Sequence, residues 1–307
     1  MAQSPAMELS RRSFLAGGAA IAALGPLTQA ESSSALTVGQ VLDRIKANVG
    51  MPWMTQTVDN VIAGGLDTPV NGIATTMMAT LDVLQRSAKA GRNMVVTHES
   101  TYFSHQDTTD ELTNDPTFRF KRDFCKEHGV AVFHFHDHWH RRKPDGIAVG
   151  MARETGWDSH LVPGTEREFA FENRTVLQLA RELQSHLRLR TLRVLGDPEM
   201  PVKRALASWG YVSLTPGLPY IARDDIDALV VGETREWELV EYVQDQIASG
   251  KRKALIVIGH VSSEQAGMKY CAEWLRSFIT EVPIDFIPAD EPFWRPDEPV
   301  AGGGRTG

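Results

Sequence analysis

Residues 253–260 have the sequence Lys-Ala-Leu-Ile-Val-Ile-Gly-His, and this stretch says most about the fold of the chain. The apolar run 253–258 does not alternate with polar residues, which is typical of a strand buried on both faces of a parallel sheet. Gly259 allows a sharp turn, and Ser262 and Ser263 are candidates to cap the helix that follows. The stretch therefore predicts a strand–helix unit of an α/β protein with largely parallel strands.

The same alternation of apolar strand and periodic helix recurs on both sides of this stretch. Further strands are predicted at residues 70–73, 93–97, 130–135, 192–195, 228–231 and 283–287. Helices are predicted from about 76 to 89 and at 116–127, 175–187, 202–208 and 236–248.

The two ends of the chain differ from this pattern. Arg11 and Arg12 precede a short, Gly-rich apolar run, and small residues close the segment at Ala30. The run is shorter than the roughly 20 apolar residues that span a bilayer, so an uncleaved anchor is the weaker alternative. Residues 1–30 thus resemble a twin-arginine signal, which predicts a periplasmic or otherwise extracytoplasmic protein without a membrane anchor after processing. We expect one domain over residues 31–298 and a flexible tail over 299–307.

Composition excludes several classes of protein. A formal net charge of −7 argues against nucleic-acid binding. Cys125 and Cys271 are the two cysteines of the chain, which rules out a four-cysteine zinc site. Both lie in helical apolar patterns, so two separate buried thiols are expected, although the sequence leaves a disulfide open.

Polar residues with metal-binding or acid–base side chains follow four predicted strands. His98 and Glu99 follow the strand 93–97, Glu233 follows 228–231, and His260 and Glu264 follow 253–258. The fourth group is the run 133–140, which places histidines at 134, 136, 138 and 140, four of the ten in the chain. In an extended chain these four imidazoles share one face, which favours metal binding over a solvated or structural cluster. Strand C-termini border the ligand crevice of open parallel sheets, so we expect all four groups at one edge.

The spacing of these residues favours two ions. His98 and Glu99 are adjacent, so in an extended segment they point in opposite directions and do not easily join one ion. His260 and Glu264 are four apart and lie on one helix face. Two neighbouring ions that share Glu264 satisfy both constraints, as in hydrolytic centres with ions about 3.5–4 Å apart. Mixed nitrogen and oxygen ligands are compatible with Zn, Mn, Fe, Co or Ni.

Four motifs resemble a known family. The segments VVTHESTYFSH (95–105), FHDHWH (135–140), VVGETREWE (230–238) and IGHVSSEQAG (258–267) are similar to the NIF-three-like (NGG-one-interacting-factor-three-like) proteins, some of which are called type 2 GTP cyclohydrolase I homologues. The resemblance extends from about residue 36 to 293. It implies two similar α/β halves that face a central metal-binding cleft, and a homo-oligomer, often a hexamer.

The resemblance also implies a set of metal ligands. By motif, these fall on His98, Glu99, His140, His260 and Glu264. Glu99 stands where the family has a second His and His140 where it has an Asp, so an imidazole and a carboxylate have exchanged places. His136, Asp137 and His138 are alternatives or supports for His140. Trp237 replaces a His found in many members, which puts any catalytic role at that position in doubt.

These observations favour an exported dinuclear metal-dependent hydrolase that acts on a small molecule with a metal-activated water. Glu233 is the candidate catalytic acid–base residue, with an N-cap as its alternative role; Glu99 is available only if it is not a ligand. A metal-dependent scaffold without turnover is the competing hypothesis, and a redox protein fits the carboxylate-rich set poorly. The isolated histidines are expected to be structural, and residues 196–198 are expected to form a turn; these histidines are His105, His128, His160 and His186.

Overall fold

The computed structural model describes residues 35–296. The predicted export signal at 1–30 and the predicted tail at 299–307 lie outside these residues. None of the helices formed by residues 35–296 is long and apolar enough to cross a membrane.

The described strands form two five-stranded sheets. In chain order they are β1 (Val61–Ala63), β2 (Ile73–Met78), β3 (Met94–Glu99), β4 (Ala131–His134), β5 (Glu168–Thr175), β6 (Arg193–Leu195), β7 (Pro201–Tyr211), β8 (Ala228–Glu233), β9 (Ala254–Val257) and β10 (Ile284–Phe286).

Helices alternate with these strands and several begin at side-chain caps. Thr37 and Thr175 each form a capping box with a Gln three residues later. A π-helical turn, Glu236–Val240, leads into the eighth helix. The helices are α1 (Val38–Asn48), α2 (Leu81–Lys89), α3 (Pro116–Glu127), α4 (Asp137–Arg141), α5 (Gly146–Thr155), α6 (Val176–His186), α7 (Leu214–Ile221), α8 (Glu241–Ala248) and α9 (His260–Arg276).

Both sheets have a parallel centre. The first has the order β1-β4-β3-β2-β10 and is parallel except for β1. The second has the order β5-β7-β8-β9-β6, with antiparallel strands at its two edges. The predicted α/β fold with largely parallel sheets and two similar halves is therefore confirmed.

Helix α9 joins the two halves. It packs against β2 and β10 of the first sheet and against β7 and β8 of the second. Thr75 of β2 donates a hydrogen bond to the carbonyl of Met268 at 2.7 Å. Gly267 lets α5 approach closely, because a Cβ there would lie 2.4 Å from Ile147. The first turns of α9 thus lie between the sheets, and they carry His260 and Glu264.

The cysteines are free and buried, Cys125 in α3 and Cys271 in α9, as expected. Burial raises the pKa of the Cys125 thiol to about 11. Burial raises the pKa of the Cys271 thiol as well, so neither cysteine is a thiolate at neutral pH.

Two predicted elements have wrong bounds, and a third is of the wrong type. Residues 76–78 belong to strand β2 and not to a helix; helix α2 begins after Thr80, whose side chain accepts from the Val83 amide. The strand predicted at residues 70–73 is found at residues 73–78. Buried Thr75 and Thr76 explain the difference, since β-branched residues pack well in a strand covered on both faces.

Residues 202–208, predicted as a helix, form the centre of strand β7. Alanine and leucine in this segment favour helix by intrinsic propensity, but tertiary packing overrides that preference. Small residues are needed because α9 crosses close by: Gly210 has φ +79°, and a Cβ there would lie 2.4 Å from Glu264 Oε1. The start of α9 also differs from expectation, since Ser262 and Ser263 lie inside the helix and Gly259 precedes it.

Candidate metal centre

The ends of four strands bring the predicted site residues together. His98 and Glu99 end β3, Glu233 ends β8, and His260 and Glu264 lie in the first turns of α9, just after β9. Helix α4, which follows β4, carries His140. All five predicted ligands and Glu233 lie at one cleft.

Glu264 is the centre of this group and is only 2% exposed. Its Oε2 lies 3.6 Å from His98 Nε2 and 3.2 Å from His260 Nε2. Its Oε1 lies 3.6 Å from His140 Nε2. One carboxylate thus faces three imidazoles from three separate segments, as a shared ligand must.

Glu99 adds a second carboxylate. Its Oε1 lies 3.3 Å from His260 Nε2. Ligand atoms of His98, Glu99 and Glu264 all lie within 4.8 Å of one another. The last two residues of β3, His98 and Glu99, thus both bring ligand atoms to Glu264.

The histidine run does not present a single face. Strand β4 ends at His134, and α4 turns the chain into a helix, so positions 136 and 140 become neighbours instead of 134, 136, 138 and 140. The rings of His136 and His140 lie 4.8 Å apart, and His98 lies 4.6 and 4.8 Å from them. His134 and His138 are fully buried elsewhere.

Four imidazoles share one orientation. Each has its Nδ1 at an oxygen acceptor, which leaves Nε2 to face the two carboxylates. Such a partner on Nδ1 is typical of metal-ligating histidines, because it fixes the tautomer and aims the other nitrogen. The pairs are His98 with the Phe135 carbonyl (3.4 Å), His136 with Asp137 (3.1 Å), His140 with Asp145 (3.2 Å) and His260 with Glu233 (3.1 Å).

The donor set fits a bound cation. Among residues 35–296, His98 Nε2 and Glu264 Oε2 are buried polar atoms that have no hydrogen-bond partner. Leaving such groups unsatisfied costs about 1–3 kcal/mol each, more when charged. Imidazole nitrogens and carboxylate oxygens that converge in this way suit a divalent ion.

Glu264 is held ionised by its neighbours. Burial acts to raise the pKa of this carboxyl, but His98, His140 and His260 outweigh burial and hold the pKa well below its usual range. Burial likewise acts to lower the pKa of His140, yet Asp145 and Glu264 raise it to about 9. Without metal, the carboxylates therefore keep a proton on His140 at neutral pH.

Metal binding should release protons from this site. His260, like His140, has a raised pKa, because Glu233, Glu264 and Glu99 outweigh its burial. A divalent ion needs the neutral imidazole, so we expect zinc binding at pH 7.5 to release about two protons per chain. Affinity should rise with pH until His140 titrates near 9. Calorimetry in two buffers of different ionisation enthalpy measures this release; a binding heat that does not depend on the buffer contradicts it.

Three supporting carboxylates complete the geometry, and two of them had no sequence signal. Asp137 Oδ1 orients His136, as considered from the sequence, while its Oδ2 accepts from Thr57 and the Val58 amide. Asp145 caps α5 and contacts His140. Asp59 accepts hydrogen bonds from the backbone amides at 136, 137 and 138, and from the His138 ring.

Four further positions singled out in the sequence lie in or near the cleft or in a turn. His105 is not isolated, because its Nδ1 lies 3.7 Å from Glu99 Oε2. Glu233 does not cap a helix; it contacts His260, and its side chain is 57% exposed at the cleft. Trp237 is exposed on the turn that follows β8. Residues 196–198 form a turn in which Asp197 accepts from the Glu199 amide.

The cleft beside the carboxylates has a volume of about 920 Å³. Arg167 and Arg235 line it together with aromatic side chains, among them Tyr211 and Tyr220. A space of this size holds a small molecule. Arg167 is paired with Asp145, and Arg235 is paired with Glu238.

Comparisons with known proteins identify a family and a shared fold. Residues 37–292 match the family Duf34/NIF3 (NGG1p interacting factor 3). A comparison with proteins of curated function finds no match. Protein SA1388 of Staphylococcus aureus is 16% identical, with a TM-score of 0.63 over 85% of this chain and 99% of its own. A Bacillus cereus protein related to NIF3 is 13% identical, with a TM-score of 0.66 over 85% and 99%. Protein ybgI, of unknown function, is 21% identical, with a TM-score of 0.66 over 84% and 100%. At these identities the structures show a shared fold alone.

Proposed function

This chain belongs to the Duf34/NIF3 family, and we propose that it is an exported hydrolase that works with two divalent metal ions at Glu264. The observation that carries the proposal is the position of that buried carboxylate, which faces His98, His140 and His260 at 3.2–3.6 Å. Hydrolytic two-metal sites use such a shared ligand to hold both ions.

The donors divide into two sets around Glu264. His98 and His140 would hold one ion together with Glu264, and Glu99 and His260 would hold the other with the same carboxylate. When bound, such a pair supplies a water nucleophile at neutral pH and polarises the bond under attack. Zn, Mn, Fe, Co and Ni all suit these ligands.

The protein's own residues supply the remaining chemistry. Glu233 uses Oε2 to hold His260 Nδ1, and its exposed side chain faces the cleft, where Oε1 can accept a proton from the attacking water. Glu99 would be a ligand of the second ion, so it is not available as a base. Arg235 and Arg167 at the cleft wall would bind a negatively charged part of the substrate.

Export is the second part of the proposal and depends on Arg11 and Arg12 before the short apolar run. Twin-arginine export accepts folded proteins, so the ions would be loaded in the cytoplasm. A GTP cyclohydrolase activity fits this route poorly, because nucleoside triphosphates are mainly cytosolic. A homo-oligomer, a hexamer by family resemblance, stays a prediction.

The test is hydrolysis of aryl phosphomonoesters, phosphodiesters and amides by protein recovered from the extracytoplasmic fraction. We expect His260→Ala to lower turnover at least about 100-fold, because the ion proposed at Glu99 and Glu264 would lose one of its ligands. His128→Ala is the matched control. This exposed histidine follows the last residue of α3 and precedes strand β4, whereas the site residues follow the C-terminal ends of the strands.

Circular dichroism should show both variants folded. Absence of turnover in the wild type, with a large loss of thermal stability in His260→Ala, would instead support a metal-dependent scaffold and overturn the hydrolase. Recovery of the protein only from the cytoplasm would overturn export.

A further inference from the structure

We propose that Glu99, His105 and His136 form a third cation site on the cleft wall beside the pair at Glu264. The proposal rests on the two-ion function for the place of that pair, and it adds two donors that the pair does not use, His105 and His136. One ligand atom from each of the three residues lies within 4.8 Å of the other two. The site would take a divalent transition-metal ion that accepts mixed imidazole and carboxylate ligands.

Glu99 has one oxygen for each side. Its Oε1 lies 3.3 Å from His260 Nε2, on the side of the pair. Its Oε2 lies 3.7 Å from His105 Nδ1, on the side of the open cleft. A carboxylate with donors at both oxygens can bind two ions, as we propose for Glu264.

His136, like the histidines of the pair, has an oxygen acceptor at its Nδ1. Asp137 Oδ1 lies 3.1 Å from its Nδ1, so the proton belongs on Nδ1 and Nε2 keeps its lone pair. That Nε2 lies 4.0 Å from Glu99 Oε1, the oxygen that also faces His260, so a third ion would share Glu99 with the pair. The separation is longer than a hydrogen bond, and it leaves room for a cation between nitrogen and oxygen.

His105 lies in a loop that several hydrogen bonds hold in place. A turn closes from the Asp107 amide to the Ser104 carbonyl at 2.8 Å. The Asp107 carboxylate accepts from the amides of Thr101 and Tyr102, at 2.8 and 2.6 Å. Phe103 and Asp107 have φ of +66° and +52°, and a bulky residue rarely adopts such a conformation without a structural requirement. The loop holds the His105 ring 4.7 Å from that of His136.

The position of the site predicts its behaviour. The His105 side chain is 45% exposed at the cleft, whereas His98 and Glu264 are buried. A third ion should therefore exchange with solvent and bind more weakly than the pair. It would add positive charge beside the cleft, where the substrate binds.

Equilibrium dialysis against buffered Zn²⁺ tests the proposal. As free zinc rises, the wild type should reach three ions per chain, two of them bound more tightly. His105→Ala and His105→Gln should reach two, with the tight pair unchanged, while the exposed-surface control His186→Ala should keep three. Melting in chelator should be the same for all four proteins, since His105 is on the surface.

Three outcomes would overturn the third site. Two zinc ions in both the wild type and His105→Ala would mean that His105 only pairs with Glu99. A fall from two to one would make His105 a ligand of the pair. Three ions retained in His105→Ala would place the third ion elsewhere. Fewer than two tight ions in the wild type would overturn the two-ion function instead, so the two failures are distinguishable.

Discussion

Replacement of Glu264 by alanine is expected to remove both tightly bound ions at once. The carboxylate faces His98 and His260 through Oε2 and His140 through Oε1, so it is the only predicted ligand common to both halves of the donor set. Loss of a ligand that supports both ions should lower each affinity by more than the 10–100-fold typical of losing a supporting partner, that is, by more than about 100-fold.

Elemental analysis after desalting measures this effect. Glu273→Ala is the matched control, because Glu273 lies on the same helix with its side chain 54% exposed. Glu264→Gln keeps the volume of the buried side chain and separates loss of charge from loss of packing. Retention of one tightly bound ion in a folded Glu264→Ala protein would contradict a shared carboxylate.

Replacement of Asp59 by alanine is expected to destabilise the metal-free protein by about 3–5 kcal/mol, because several hydrogen bonds to a buried carboxylate are lost. Asp59 is 3% exposed and accepts four hydrogen bonds, three from backbone amides at the start of α4 and one from His138 Nδ1 at 2.6 Å. His138 Nε2 accepts from the Met54 amide, which assigns the ring proton to Nδ1. Alanine would leave all four donors without this acceptor, and the two from His138 are buried.

The same change should weaken metal binding about 10–100-fold, because Asp59 fixes the turn that carries His136 and His140. Urea unfolding in chelator gives the stability, and zinc titration gives the affinity. Asp67→Ala, an exposed position in a nearby loop, should change stability by less than about 0.5 kcal/mol. A wild-type urea midpoint in Asp59→Ala would show that the turn does not depend on this carboxylate.

Local signals predicted much of the framework. Pro116 and Gly129 bracket helix α3, which has the predicted bounds, and the apolar run at 253–258 contains strand β9. The rule that ligands gather at the C-terminal ends of parallel strands placed His98, Glu233 and His260 at one cleft. These inferences succeed because the pattern of buried residues follows directly from the period of each element.

The failures have a common cause in tertiary structure. The sequence of β7 predicts a helix, because its small residues have low strand propensity. They are found in a strand because α9 packs close to them. The histidine run was treated as extended, although the strand ends at His134. Asp59 and His105 reach the centre from segments far from the run in sequence, and spacing alone does not reveal such contacts.

The most direct test of the central claim is anomalous diffraction from crystals of the zinc-loaded protein, recorded on both sides of the zinc absorption edge. Under conditions that remove weakly bound ions, we predict two peaks on opposite sides of the Glu264 carboxylate, one beside His98 and His140 and the other beside Glu99 and His260. A single peak, or peaks that do not contact Glu264, would contradict the account.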